Sequence, residues 1–164
     1  KGSIWVGNAE MTSLPESKRS AFRRRHIGFI FQNFQLMSHF TALENIFVMG
    51  HGEADQDLAM GFLDRLGLAN IANLPVRLLS EGQMQRVAVA RALFQNPDVI
   101  LADEPTSSLD DQATEIVLSL FKEEIAKGKT VIIVSHDPRL RENFENVINF
   151  GEIIDSNDLQ NRLA

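Results

Sequence analysis

Apolar residues fall along this chain in two textures. Short runs with strand character occur at Ser3 to Val6, Ile27 to Phe31, Val99 to Ala102 and Thr130 to Val134, and the near-continuous ones suit strands buried on both faces. Between them the spacing is helical. Leu58, Phe62 and Leu66 recur on one side of a helix over 56–66 that Gly67 closes, and Ala113, Ile116, Val117 and Leu120 do the same before Gly128. Ser13 with Glu16, Thr41 with Glu44, and Ser80 with Gln83 each have the form of a capping box, which marks three further helix starts. The first predicts a basic helix to about Arg25, the second a helix through Val48, and the third a long helix that Asn96-Pro97 ends. Pro138 begins a short helix, and Val147 to Phe150 with Glu152 to Ile154 predicts two closing strands around Gly151.

No strand is predicted from Asn33 to Phe94, whereas strand, helix and strand alternate on either side. That order implies a parallel sheet with helical crossovers. The expected fold class is therefore α/β with an inserted α-helical subdomain. The expected division is core strands in 1–32, the helical subdomain in 33–94 and the rest of the core in 95–164.

Composition narrows this picture. The 164 residues are 44% hydrophobic and 23% charged, the balance of a globular domain. A net charge of -6 argues against a broad basic surface for nucleic acid, and Lys18, Arg19, Arg23, Arg24 and Arg25 read as a solvated helix face. With no cysteine, disulfides and thiolate metal sites are excluded. The longest apolar runs fall far short of the ~20 residues that cross a bilayer. The opening Lys1-Gly2-Ser3-Ile4-Trp5-Val6 is strand-like and lacks an initiator methionine, so the expectation is a chain that has lost its beginning; Trp5 is expected to serve packing.

Two segments carry candidate chemistry. Val99-Ile100-Leu101-Ala102 delivers Asp103 and Glu104 to the carboxyl end of a strand, where open α/β sheets bind ligands. Neighbouring strand residues face opposite ways, so one acid is free to hold Mg²⁺ while the other polarises water. By itself the pair also fits a solvated strand end turning at Pro105. Leu79-Ser80-Glu81-Gly82-Gln83 opens a helix whose unpaired N–H groups favour anions; by itself it also fits an ordinary capping box. In this reading Gly82 lets the backbone approach a phosphate, and Ser80 and Gln83 add donors.

Leu79 to Gln83, continued by Met84 to Ala92, resembles the signature motif of the ABC ATPases. Val99 to Glu104 resembles their Walker B strand and Pro105 to Asp110 their D-loop. Gln32 after its strand is similar to the Q-loop, and Ser135-His136-Asp137 to the switch histidine. The order and spacing agree across essentially the whole chain. The resemblance implies a P-loop NTPase (RecA-like) core, ATP and Mg²⁺ as cofactors, and ATP hydrolysis coupled to transport. It implies that Asp103 holds Mg²⁺ through water, that Glu104 is the general base, and that His136 contacts the γ-phosphate and the attacking water. Gln32 would sense Mg²⁺ and water and couple them to the helical subdomain. Ser80, Gly82 and Gln83 would cap the ATP of the opposing subunit in a head-to-tail dimer, with Asp110 at the same interface. Membrane permease subunits would be the other partners, on the cytoplasmic face, with no nucleic acid expected. His26, His39 and His51 read as solvated loop or helix-end residues.

Two positions depart from the pattern: Glu81 stands at the usual first glycine, and Met84 at a common glutamine. A larger departure is that no G-x-x-x-x-G-K-[ST] loop, the Walker A cradle for phosphates, occurs in the 164 residues. Gly128-Lys129-Thr130 imitates its end, but Glu123 stands where the first glycine is needed, and the segment leaves a helix for a strand. Truncation is the expectation, since every later motif is intact, and the chain alone is expected to show no ATP-dependent thermal shift. Arg24 to Gln32 and Thr41 to Ile46 resemble the branch serving lipoprotein release and macrolide-type export. A soluble ABC ATPase, or a non-catalytic partner lending only its signature motif, remains as an alternative.

Overall fold

The computed structural model describes residues 2–48 and 56–149. A small antiparallel pair, β1 (Trp5–Val6) and β2 (Ala9–Glu10), precedes helix α1 (Glu16–His26) and strand β3 (Ile27–Ile30). Helices α2 (Ala42–Phe47), α3 (Gln56–Arg65) and α4 (Glu81–Phe94) follow, with short 3₁₀ turns at Ala69–Ile71 and Val76–Leu78. Then come β4 (Val99–Asp103), α5 (Asp111–Ala126), β5 (Thr130–Val134) and α6 (Pro138–Asn143).

β3, β4 and β5 form a parallel sheet in that order. Parallel neighbours cannot be joined by a tight turn, so α2 to α4 occupy the first crossover and α5 the second. Helix α4 explains why one core serves both regions. Val87 to Leu93 are all buried on it, so it is covered on nearly every side. The hydrophobic cluster runs without a break from Leu43, Ile46 and Leu63 through Val87 and Leu93 to Ile100, Val117 and Phe121.

Two of the three expected capping boxes form with both hydrogen bonds, at Thr41/Glu44 and Ser80/Gln83. The third does not. Ser13 Oγ donates to the Glu10 carbonyl (2.9 Å) within the preceding 3₁₀ turn, and Pro15 stands at the N-cap of α1 without a side-chain cap. Glu16 instead accepts from Arg23 (2.9 Å) and pairs with Arg19 (3.3 Å), which accounts for much of the basic helix as a solvated face.

On α3 the buried positions are Ala59 and Leu63, followed by Leu66, while Leu58 is 50% exposed. The buried face is thus rotated from the expected one, because α4 and the Ala69–Ile71 turn approach from that side. The packing expected of Trp5 is not seen: β1 and β2 pair only with each other, and the indole is 60% exposed. Val147 to Asn149 form no strand, and the other residues expected in those two strands (150 and 152–154) lie outside the described ones. His39 is exposed, His26 closes α1 with its ring 2.5 Å from Asp98, and His51 lies outside the described residues. No helix among the described residues is long and apolar enough to cross a membrane.

Candidate active site

Strand register builds the site. Ile30 lies opposite Ala102, and Asp103 opposite Val134. Gln32, the Asp103–Glu104 pair and Ser135–His136 therefore leave three adjacent strands at one carboxyl end of the sheet.

Glu104 is the most constrained of them. Its backbone is left-handed, with φ +49°, a region that non-glycine residues rarely enter. Its N–H donates to the Val134 carbonyl (2.8 Å), extending the β4–β5 ladder by one bond. The turn aims its carboxylate at the end of β5. There Oε2 accepts from Ser135 Oγ (2.7 Å), and Oε1 accepts from the His136 N–H (3.0 Å) and from Nδ1 of the same histidine (2.7 Å). Burial pushes this carboxyl up, but the hydrogen bonds from Ser135 and His136 outweigh it and leave it below the usual range. It is accordingly a carboxylate near neutral pH. The Glu104 side chain is only 13% exposed, whereas His136 is 86% exposed, so the imidazole covers the carboxylate from the solvent side.

Asp103 is exposed at the end of β4, and Gln32 is exposed in the turn after β3. Among the described residues no group of three His, Cys, Asp or Glu is arranged to enclose a metal ion. An exposed carboxylate and an exposed amide at the ends of neighbouring strands are ligand types that suit a hard cation which keeps its waters and takes most of its other ligands from phosphate.

At the start of α4, Ser80 Oγ accepts from the Gln83 N–H (3.3 Å), and Gln83 Oε1 accepts from the Ser80 N–H (2.9 Å). That exchange leaves the first-turn N–H groups of Glu81 and Gly82 for a ligand. Gly82 has a role the sequence did not suggest. A Cβ there would stand 2.7 Å from the Ser108 carbonyl oxygen, so the close approach that glycine permits is to the loop after β4. Asp110 accepts from the Ala113 N–H (2.8 Å) and is the N-cap of α5. Met84 packs against the core.

Three further groups were not singled out from the sequence. Gln85 is 1% exposed and bonds both the Glu104 carbonyl and the Ser108 N–H. Arg91 is 8% exposed and donates to the carbonyls of Gln35 (2.6 Å) and Phe34 (2.7 Å). Those two residues, just beyond Gln32, are both left-handed, with φ of 50° and 56°. Thr106 Oγ1 donates to Asp137 (2.7 Å), which also accepts from Arg139 (2.7 Å), and Arg139 reaches Asp111 (2.8 Å). The available signal was a polar residue at a core position of α4, legible for Gln85 and Arg91 only once the buried face of that helix was known. Lys129, in the imitation of a phosphate loop, is engaged elsewhere: it donates to buried Glu124 and to Asn96 (2.6 Å).

The profile of the ABC transporter family matches residues 1–107. The chain belongs to the ABC transporter family. Curated relatives include the macrolide export ATP-binding/permease protein MacB of Bartonella quintana, 39% identical over 163 residues, and that of Rhodopseudomonas palustris, 41% identical over 156. The matches cover 95% and 92% of this chain but 25% and 24% of those proteins, so the chain spans about a quarter of the relatives' length. Among solved structures it is similar to the ATP-binding cassette MJ0796 in a dimeric post-hydrolysis state bound to ADP and Pi. There the TM-score is 0.80 at 36% identity, covering 88% of this chain and 67% of that one. A second dimeric structure of MJ0796, a bacterial ABC transporter cassette, gives 0.81 at the same identity and coverage. The fold is thus that of an ABC ATPase cassette, a P-loop NTPase core with an α-helical insertion.

Proposed function

We propose that this ABC chain is part of an ATP-hydrolysing transporter subunit and that Glu104 is its general base. The observation that carries the reading is the Glu104 carboxylate itself: ionised, mostly shielded from solvent, and held by Ser135 and His136 at the carboxyl end of a parallel sheet. Proton acceptance from water needs one carboxylate lone pair free. His136 takes both sites on Oε1 and Ser135 one on Oε2, so the second lone pair of Oε2 stays open to an attacking water.

Asp103, through water, and Gln32 would hold Mg²⁺. The bound cation would neutralise charge on the phosphate oxygens during displacement. The first-turn N–H groups of α4, with Ser80, Gly82 and Gln83, would cap ATP held by the opposing subunit, and Asp110 would lie at that interface. Gln32, leading into the loop that Arg91 clamps, would pass the state of the site to the helical region 33–94. That region would receive a membrane permease, placing the subunit at the cytoplasmic face. Likeness to the two macrolide export proteins favours export, and the resemblance of residues 24–32 and 41–46 to the lipoprotein-release branch adds lipoprotein-related transport as the other reading. The reaction is proposed for the whole protein, since this chain spans about a quarter of the curated relatives' length.

Glu104→Gln in the intact protein tests the reading. Phosphate release is expected to fall by about 10² to 10⁴-fold, the usual contribution of a general base, with ATP binding retained. A variant that still turns over at close to the wild-type rate would falsify it.

A further inference from the structure

The peptide groups on both sides of Glu104 are pinned, and by different elements. On one side its N–H is held by Val134 of β5. On the other its carbonyl accepts from Gln85 Nε2 of α4 at 2.6 Å. The same amide spans a second gap, for Gln85 Oε1 accepts from the Ser108 N–H at 2.9 Å. Its orientation is unambiguous: reversing it would set N–H against N–H and oxygen against carbonyl oxygen.

We propose that Gln85 is a positioning residue for hydrolysis, fixing the left-handed backbone of Glu104 and the loop at Ser108 to the first turns of α4. The inference rests on Glu104 being the base. A left-handed non-glycine residue persists only where its surroundings over-determine it. The bond to Val134 fixes the peptide before Glu104, and the bond to Gln85 fixes the peptide after it; together they set the direction in which its side chain leaves the chain. Only a carboxamide donates and accepts at one buried position of this length. Gln85 sits one turn beyond Gly82 on the same helix, and a Cβ on Gly82 would stand 2.7 Å from the Ser108 carbonyl oxygen. A movement of the start of α4, where the opposing nucleotide would bind, therefore reaches the base through two contacts on one helical face.

The test uses the intact protein with Gln85→Met, which keeps length and loses both bonds, and Gln85→Glu, which keeps only the acceptor for Ser108. Turnover is normalised to nucleotide-binding sites, and kcat and KM are compared with those of Glu104→Gln. Misplacing a reacting group by about 1 Å costs on the order of 10²-fold, so kcat is expected to fall about 10- to 100-fold with KM within about threefold. A purely structural role would lower the yield of folded sites and leave kcat per site unchanged. If kcat per site stays within about twofold in both variants while Glu104→Gln is inactive, the role of Gln85 is overturned and that of Glu104 stands. If Glu104→Gln keeps its turnover, both fall, since there is no base to position. Should neither Gln85 variant fold, hydrogen exchange on the wild-type protein decides. Marked protection of the Ser108 amide supports the anchor, and exchange at the rate of an unstructured loop amide overturns it.

Discussion

The Cβ that Gly82 lacks would stand 2.7 Å from the carbonyl oxygen of Ser108, closer than real Cβ contacts come. The start of α4 therefore rests directly on the backbone of the loop after β4. In Gly82→Ala, helix propensity gains at most about 1 kcal/mol, against an overpacking cost of about 1–3 kcal/mol where a backbone atom must move. The clash wins. The intact variant is expected to be less stable in denaturant unfolding and to lose ATP turnover about tenfold or more, because the loop shifts with Glu104 attached to it. Unchanged turnover would show that the loop moves independently of the base.

Arg91 holds Phe34 and Gln35 in left-handed backbone through two hydrogen bonds to their carbonyls. Arg91→Leu leaves both carbonyls without their charged donor, at about 1.5–3 kcal/mol for such a bond. Limited proteolysis is expected to cut between residues 33 and 36 in the variant and not in the wild type. Arg91→Lys keeps the charge but not the planar fork, and should fall between the two.

Asp137 gives stability a dependence on pH. Hydrogen bonds from Arg139 lower its carboxyl most; burial opposes them, Thr106 adds to them, and the value falls from the ordinary 3.8 to about 2. A depressed carboxyl contributes stability that is fully present above its unfolded value and is lost as pH falls through its folded one. Between about pH 4 and about pH 2 the wild type is expected to lose on the order of 1–2 kcal/mol relative to Asp137→Asn, since Arg139 is partly exposed and screened. Denaturant unfolding of both proteins across that window checks the difference; parallel curves would rule out the assignment.

Lys129 belongs to the fold and not to a phosphate site. Burial pushes the Glu124 carboxyl up, and the bonds from Lys127 and Lys129 bring it below its usual value. Lys129→Met is expected to cost about 1–3 kcal/mol by leaving Glu124 half-paired, with kcat and KM for ATP within about twofold of wild type. Adding Glu124→Gln should recover part of the loss. A selective rise in KM would instead make Lys129 a nucleotide contact.

Local signals in the sequence were legible wherever one element decides its own structure. The capping boxes at Thr41 and Ser80 form because both partners lie within one turn, and β3 and β4 are apolar because they enter the core. β5 has the same apolar run but leaves Ile132 and Val134 exposed on one face, so burial on both faces does not hold for it. The box at Ser13 fails because the 3₁₀ turn before it claims the hydroxyl and Pro15 takes the cap. Helix α3 shows the same limit. Its period is right, but Leu58 is exposed and Ala59 and Leu63 are buried, since the facing of a helix depends on what packs against it.

The candidate site divides along this line. Asp103 and Glu104 could be named from sequence because two acids following an apolar strand are a pattern within one segment, whereas Gln32 and His136 were named through the resemblance to the ABC ATPases. Their convergence required the parallel register. The contacts of Gln85 and Arg91, and the need for glycine at position 82, join segments some 20 to 60 positions apart. No local pattern encodes such separations. The sequence alone determined the order of elements from β3 to α6, the family and the chemical groups at the sheet end. The tertiary structure decided which backbone groups hold Glu104 in its left-handed turn, because those bonds exist only once α4 lies against the sheet.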